Sequence, residues 1–211
     1  MGEKMEITTL VLGKLLNNTY IITTKQNNAV IIDPSVDFER IYSELLKSGA
    51  NLKYIMFTHG HYDHTASAYE LKQKTGAKTV IHSRDAEMLS DFDKSMSWMF
   101  TNKPQKVECD IAVNDGDTLM LDELEFKFLN TPGHSKGSMV ILLNDIMFSG
   151  DTVIKGSVGR CDFYGGSENL MRQSIKRLGG LDKDYKIYCG HYDSTTLYEE
   201  KENNIFFKEY A

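Results

Sequence analysis

Four metal-ligand side chains crowd into the stretch FTHGHYDHT at positions 57–65: His59, His61, Asp63 and His64. In extended backbone, residues two apart point the same way, so the imidazoles of His59 and His61 can converge on one cation. Asp63 and His64 are offset from that pair and could face a second cation. Gly60 between the histidines leaves the backbone free and adds no side chain. Imidazole with carboxylate suits zinc, iron or manganese. Three more ligand-type residues stand beside glycine after apolar runs: His134 in NTPGHSKGS, Asp151 in FSGDTV and His191 in IYCGHYD. Counting ligands gives a partition: His59, His61 and His134 for one metal, Asp63, His64 and His191 for the other, and Asp151 between them. Two divalent metals, zinc first and iron or manganese as other fits, could then share a bridging hydroxide and act on a substrate without a serine or cysteine triad. No nucleophile-elbow, Walker A or dinucleotide fingerprint is present. His82 lies outside these motifs and is expected to be structural.

These positions need strand ends to bring them together. EITTLVLG, NTYIITT and AVIID read as short strands rich in Val, Ile, Thr and Tyr. Residues 37–48 read as a helix, with Phe38, Ile41, Tyr42 and Leu45 on one face and Gly49 as the stop. YIMF is a strand running into the first histidine motif. TASAYELKQKTG reads as a helix closed by Gly76, and KTVIH as a strand. Residues 91–106 carry no clear period and are expected to be a long loop; within it Met96, Trp98, Met99 and Phe100 are expected to pack rather than to form a lid. DTLML, LEFKFLN, SMVILL and IMFSG resume the strand pattern. Residues 167–178 and 195–203 read as helices, the second with Thr196 and Glu199 placed for a capping box. Two batches of strands, each followed by helices and with no linker between, favour a single domain over 1–211 with two β-layers covered by helices.

The 211 residues carry a formal charge of −6 and 41% hydrophobic content. An acidic chain with no Lys/Arg run longer than two lacks the footprint of a phosphate-backbone binder, so no nucleic-acid partner is expected. No apolar run reaches the roughly 18 residues of a membrane span, and the N-terminus shows no signal-type apolar region. A cytoplasmic setting without membrane attachment is therefore expected. Cys109, Cys161 and Cys189 are odd in number and have no CxxC spacing, which speaks against a disulfide framework.

With these motifs in place, the chain resembles the metallo-β-lactamase superfamily, and within it the short glyoxalase II-like hydrolases. THGHYDH matches the superfamily's H-x-H-x-D-H, and TPGHSKGS, FSGD and CGH match its later motifs in order. AVIIDP matches the early motif whose aspartate supports the metal loop, which implies that Asp33 stands behind the ligands. SVGRCD and STTLYEEKENNIF resemble segments of the glyoxalase II-like branch. The resemblance runs from about residue 7 to 207 and implies an α/β fold: an αββα four-layer sandwich of two mixed β-sheets flanked by helices, with metals at one edge. Arg160 and Asp162 are expected to pair in a loop behind the site. Phe163, Tyr164 and Tyr192 could line a substrate pocket.

The resemblance also carries departures. Tyr192-Asp193 replaces the usual Gly-Pro after the last histidine. Only 20 residues follow His191, so the helical C-terminal domain of full-length glyoxalase II is not expected, and glutathione specificity does not carry over. Asp151 stands where the main zinc β-lactamase subclasses have cysteine, which argues against β-lactam hydrolysis. The expected activity is hydrolysis of a small-molecule thioester, with Asp63 also steering the attacking hydroxide. A thiolate leaves without a strong proton donor, since a free thiol has a pKa near 8.5. Two rivals stay open: a mononuclear iron persulfide dioxygenase using His59, His134 and Asp151, and a lactone hydrolase. A non-catalytic metal-binding role is disfavoured by the completeness of the ligand set.

Overall fold

The computed structural model describes residues 5–103 and 106–210. Pro104 and Gln105, inside the expected 91–106 loop, and the outermost ends of the 1–211 unit lie outside the described residues. The first sheet runs in the order β1 (Glu6–Leu12), β2 (Asn17–Thr23), β3 (Asn28–Ile32), β4 (Asn51–Met56), β5 (Lys78–His82) and β6 (Ile111–Val113). The first three strands form an antiparallel meander, and β3 to β6 are parallel. The helix α1 (Phe38–Ser48) makes the β3–β4 crossover, and α2 (Tyr62–Thr65) and α3 (Ala68–Thr75) the next one.

The second sheet has the order β12 (Thr195–Thr196), β11 (Lys186–Cys189), β10 (Ile146–Gly150), β9 (Met139–Leu143), β8 (Leu124–Asn130) and β7 (Thr118–Leu121). Its β10–β11 pair is parallel and its other pairs are antiparallel. The helix α4 (Glu168–Gly179) joins β10 to β11, and α5 (Leu197–Asn203) and α6 (Ile205–Tyr210) close the chain.

Strand alternation sorts the apolar side chains into three cores. Ala29 and Ile31 of β3 face Ile41 and Leu45 of α1 and Leu71 of α3. Val30 and Ile32 point the other way, against Phe126, Phe128, Ile141 and Phe148 of the second sheet. On β9, Met139, Ile141 and Leu143 join that central core, while Val140 and Leu142 meet Met171, Ile175 and Leu178 of α4. The result is the expected αββα sandwich. It also explains why AVII and MVILL are continuous apolar runs: these strands are covered on both faces.

Local chemistry sets the boundaries. Asp37 caps α1 by accepting from the Arg40 amide, and Gly49 ends it in a left-handed conformation at φ 66°. The helix expected after the histidine motif is in fact two, because Ser67 is held by the Pro34 and Ser35 carbonyls across the break. Asp63 and His64 consequently ride on α2. At α5, Thr196 accepts from the Glu199 amide, but the Glu199 carboxylate lies 3.0 Å from the Thr195 hydroxyl, which it shares with Glu200, so only half of the expected capping box forms. No helix among the described residues is long and apolar enough to cross a membrane.

Glu200 ties these closing helices to the second sheet. Its buried carboxylate accepts from the Thr195 hydroxyl (2.8 Å), the Asn204 amide (2.7 Å) and the Gly156 backbone (3.0 Å). Glu200→Ala leaves the buried Asn204 amide short of an acceptor and frees the Gly156 loop, and is expected to cost about 1–3 kcal/mol, read as a lower urea midpoint with an unchanged slope. An unchanged midpoint would show that the network does not hold the C-terminal helices.

Candidate metal centre

Strand direction gathers the candidate residues. The chain leaves β3 at Asp33, β4 at 57–65, β8 before His134, β10 at Asp151 and β11 at His191. Within each sheet these strands run the same way, so all their carboxyl ends open at one edge of the sandwich. The ligand-type atoms of His59, His61 and His134 lie within 4.8 Å of one another, as do those of Asp63, His64 and His191. These two groups match the partition expected from the sequence, but a third, His59, His64 and Asp151, lies equally close together and takes one histidine from each. His61 Nδ1 and His134 Nε2 are 2.9 Å apart, and His64 Nε2 and His191 Nε2 are 3.2 Å apart. Asp151 stands between the groups: Oδ1 is 3.4 Å from the Nε2 atoms of His64 and His191, and Oδ2 is 3.4 Å from His134 Nε2.

Several features fit cations here. His59 Nε2 and Asp151 Oδ1 are buried with no hydrogen-bond partner, which is costly unless something else satisfies them. A Cβ on Gly190 would overlap Asp151 Oδ1, so only glycine leaves the centre clear at that position. Burial and the neighbouring imidazoles hold His59 well below the usual histidine range, and burial with His134 brings His61 down to about 3. Both rings are therefore neutral at physiological pH and offer lone pairs. At His64, burial opposes the charge, but Asp63, Asp151 and Asp33 outweigh it and push its pKa well up. Burial would raise Asp151, yet His64 and His134 hold it well below the usual carboxylate range.

A second layer aims the rings. His134 Nδ1–H donates to the Arg160 carbonyl (2.7 Å) and His191 Nδ1–H to the Leu15 carbonyl (2.9 Å), leaving each Nε2 turned inward. Asp33, in a left-handed turn at φ 50°, reaches both groups. Its Oδ2 accepts from His64 Nδ1–H (3.1 Å) and from the Thr58 hydroxyl (2.7 Å), which in turn accepts from His59 Nδ1–H (3.1 Å).

Two supports were not legible in the sequence. The Asn17 amide donates to Asp63 Oδ2 at 2.9 Å. Asp85, fully buried after β5, accepts from the amides of Gly60 (3.1 Å) and Gly137 (2.6 Å) and from the Ser135 hydroxyl (2.5 Å). It thus bolts the H-x-H loop to the His134 loop. Burial raises its carboxyl pKa, and these donors oppose that shift. A lone aspartate after a strand looks like any turn residue, so nothing in its local sequence marks it.

Beside the ligands opens a cavity of about 400 Å³. Phe163 and Tyr192 line it as expected, but Tyr164 does not: its hydroxyl donates to Glu87 at 2.8 Å on the surface. Arg160 and Asp162 pair with each other as expected, but their side chains are exposed rather than behind the site. They fork to each other at 2.6 Å while 58% and 64% exposed, and only the Arg160 carbonyl touches a candidate ligand. The Arg160 guanidinium sits 3.9 Å over the Phe163 ring instead. Met96, Met99 and Phe100 line the cavity as well, but Trp98, Met99 and Phe100 are largely exposed, so the plain packing expected of this segment does not hold. His82 stays apart, its Nδ1 accepting from the Arg84 amide at 3.2 Å. Cys161 is half-buried with its thiol pKa raised by burial, and burial pushes Cys189 up to about 12, so neither thiol is activated.

Asp85→Ala is expected to weaken the binding of added zinc by about 10–100-fold while leaving the far-ultraviolet dichroism native. Competition against a chelating dye reads the affinity, and a wild-type value would contradict the bolting role.

The sequence profile of the Metallo-beta-lactamase superfamily matches residues 12–191. A protein of Aquifex aeolicus is 32% identical over 199 residues, covering 92% of each chain. The hydroxyacylglutathione hydrolase GloC of Haemophilus influenzae is 30% identical over 207 residues, covering 96% of this chain and 98% of its own. Among solved structures, the BLEG-1 B3 metallo-beta-lactamase is similar with a TM-score of 0.89 at 26% identity, over 96% of this chain and 99% of that one. TTHA1623 in a di-iron-bound form is similar with a TM-score of 0.84 at 28% identity, over 94% of this chain and 99% of that one. ETHE1 from Myxococcus xanthus follows at 0.78 and 28%, over 95% of this chain and 84% of that one. The sequence match spans most of the chain and the fold is shared along nearly all of it: the chain belongs to the metallo-beta-lactamase superfamily, whose members are mostly metal-dependent hydrolases.

Proposed function

We propose that the protein hydrolyses thioesters at a site holding two divalent cations, zinc first. The observation that carries this reading is the pair of complete ligand groups with one Asp151 oxygen facing each. Bound cations would supply Lewis acidity and a water acidic enough to attack at neutral pH. His59, His61 and His134 would hold one cation, Asp63, His64 and His191 the other, with Asp151 between them. Asp63 lines the cavity, where its carboxylate would also orient an attacking water. The chain has no activated thiol of its own, and no serine or threonine lines the cavity among the described residues, which supports water as the attacking group.

A sulfur leaving group fits the rest of the cavity. Arg160 keeps its fork on Asp162 and gives up no proton. A thiolate needs no donor to depart, whereas an amine would. The similarity to a hydroxyacylglutathione hydrolase supports the same reaction class. The di-iron form of TTHA1623 makes iron the metal to test beside zinc.

Thiol release from an acyl thioester, followed with a thiol reagent, is expected to need added metal and to fall by roughly 10²–10³-fold in His59→Ala. Activity that survives both chelation and His59→Ala would refute the reading. One iron per chain with oxygen uptake on a glutathione persulfide would assign the mononuclear oxygenase in its place.

A further inference from the structure

The cavity beside the ligands is walled by carbon. Met96, Met99, Phe100, Leu15, Ile154 and Val158 all line it. These six residues come from three separate segments of the chain, so the apolar character is not an accident of one loop. The cation on the rim, Arg160, has its charge met by Asp162 and its face covered by Phe163. Beyond the ligand floor, the polar side chains on the lining are Tyr192, 60% exposed, and the paired Arg160, so most of the wall suits an apolar acyl group.

The wall from 96 to 100 is also built with care. Met96 holds φ at 61°, a conformation that costs a non-glycine residue of order 1 kcal/mol or more and persists only where the surroundings enforce it. The enforcement is visible: the Tyr62 amide donates to the Ser95 carbonyl at 2.8 Å, the Met99 amide to the Met96 carbonyl at 3.0 Å, and Phe100 stacks on Tyr62 with ring centres 5.5 Å apart. Lys94 pins the segment to Glu87 at 2.6 Å. Yet Met99 and Phe100, both facing the cavity, remain 55% and 42% exposed. Ordered apolar side chains left open to water beside a reactive floor indicate an apolar occupant that covers them.

We infer that the substrates are thioesters of uncharged, apolar acyl chains longer than acetyl, the chain lying against Met96, Met99, Phe100, Ile154 and Val158. The inference rests on the thioester reading above and adds the acyl class to it. Each methylene that leaves water against these side chains should raise the specificity constant about three- to fourfold until the cavity is full. Methionine in the lining suits a range of lengths, because its unbranched side chain refits.

The test uses zinc-loaded protein and one thiol, N-acetylcysteamine, carrying acetyl, butyryl, hexanoyl, octanoyl or lactoyl groups. Octanoyl is expected to exceed acetyl by at least about 30-fold in kcat/KM, with lactoyl below butyryl. Met99→Asp, at an exposed position, should cut the octanoyl advantage at least about tenfold while leaving the melting temperature close to wild type. In parallel, calorimetry measures binding of ketone analogues in which a methylene replaces the sulfur. The octanoyl analogue should bind at least about tenfold more tightly than the acetyl one, and Met99→Asp should erase the difference. A flat chain-length series, a lactoyl preference, or equal binding of the two ketones would overturn the inference. If no thioester is cleaved, the thioester reading fails, and the ketone pair alone then decides whether the walls take an apolar chain.

Discussion

Five imidazoles and two carboxylates converge at one edge of this sandwich, most of them out of contact with water. Such a gathering works against folding. Each polar group brought from water without a partner costs of order 1–3 kcal/mol, and each uncompensated charge costs more. The fold tolerates the cluster because the outward nitrogens of His134, His191 and His64 are spent on fixed acceptors, two carbonyls and Asp33. Among the described residues, three of the five buried side-chain atoms left without a partner belong to this cluster: His59 Nε2, His61 Nε2 and Asp151 Oδ1. The unmet demand is thereby concentrated where cations would meet it, so metal binding and folding are linked.

That arrangement depends on rigid strand ends. β3 and β9 are covered on both faces, by helices outside and by the opposing sheet inside. Their neighbours cannot shift without disturbing two cores at once, and the loops at their carboxyl ends inherit this stiffness. Asp33 and Asp85 extend it into the loops. One links a histidine from each ligand group through Thr58 and His64, and the other joins the loops that carry His61 and His134. Two buried carboxylates that bind no metal in this scheme thus set the spacing of the seven side chains that would.

Much of this was legible in the sequence, for identifiable reasons. His59 and His61 could be paired because a two-residue spacing has a geometric meaning in extended chain. The remaining ligands could be sorted because each followed an apolar run and neighboured glycine. The sandwich itself was legible as two batches of strands with continuous apolar runs. Asp85 was not, because its partners are at positions 60, 135 and 137 and no local pattern encodes contacts so distant. Asn17 was hidden for the same reason, 46 residues from Asp63. The Arg160–Asp162 pair was placed by resemblance, and a pair of charges in a motif does not reveal that its backbone carbonyl makes the useful contact. Met96 to Phe100 lack a period because they follow no regular element, so their shared direction toward the cavity appears only in three dimensions.

The most direct measurement is an anomalous-scattering map of crystals grown with metal, recorded at the zinc and iron edges. Two peaks roughly 3.5–4 Å apart are expected. One should be ringed by His59, His61 and His134 and the other by Asp63, His64 and His191, with Asp151 touching both. A single peak, with His64 and His191 keeping their hydrogen bonds but holding no ion, would contradict the two-cation centre.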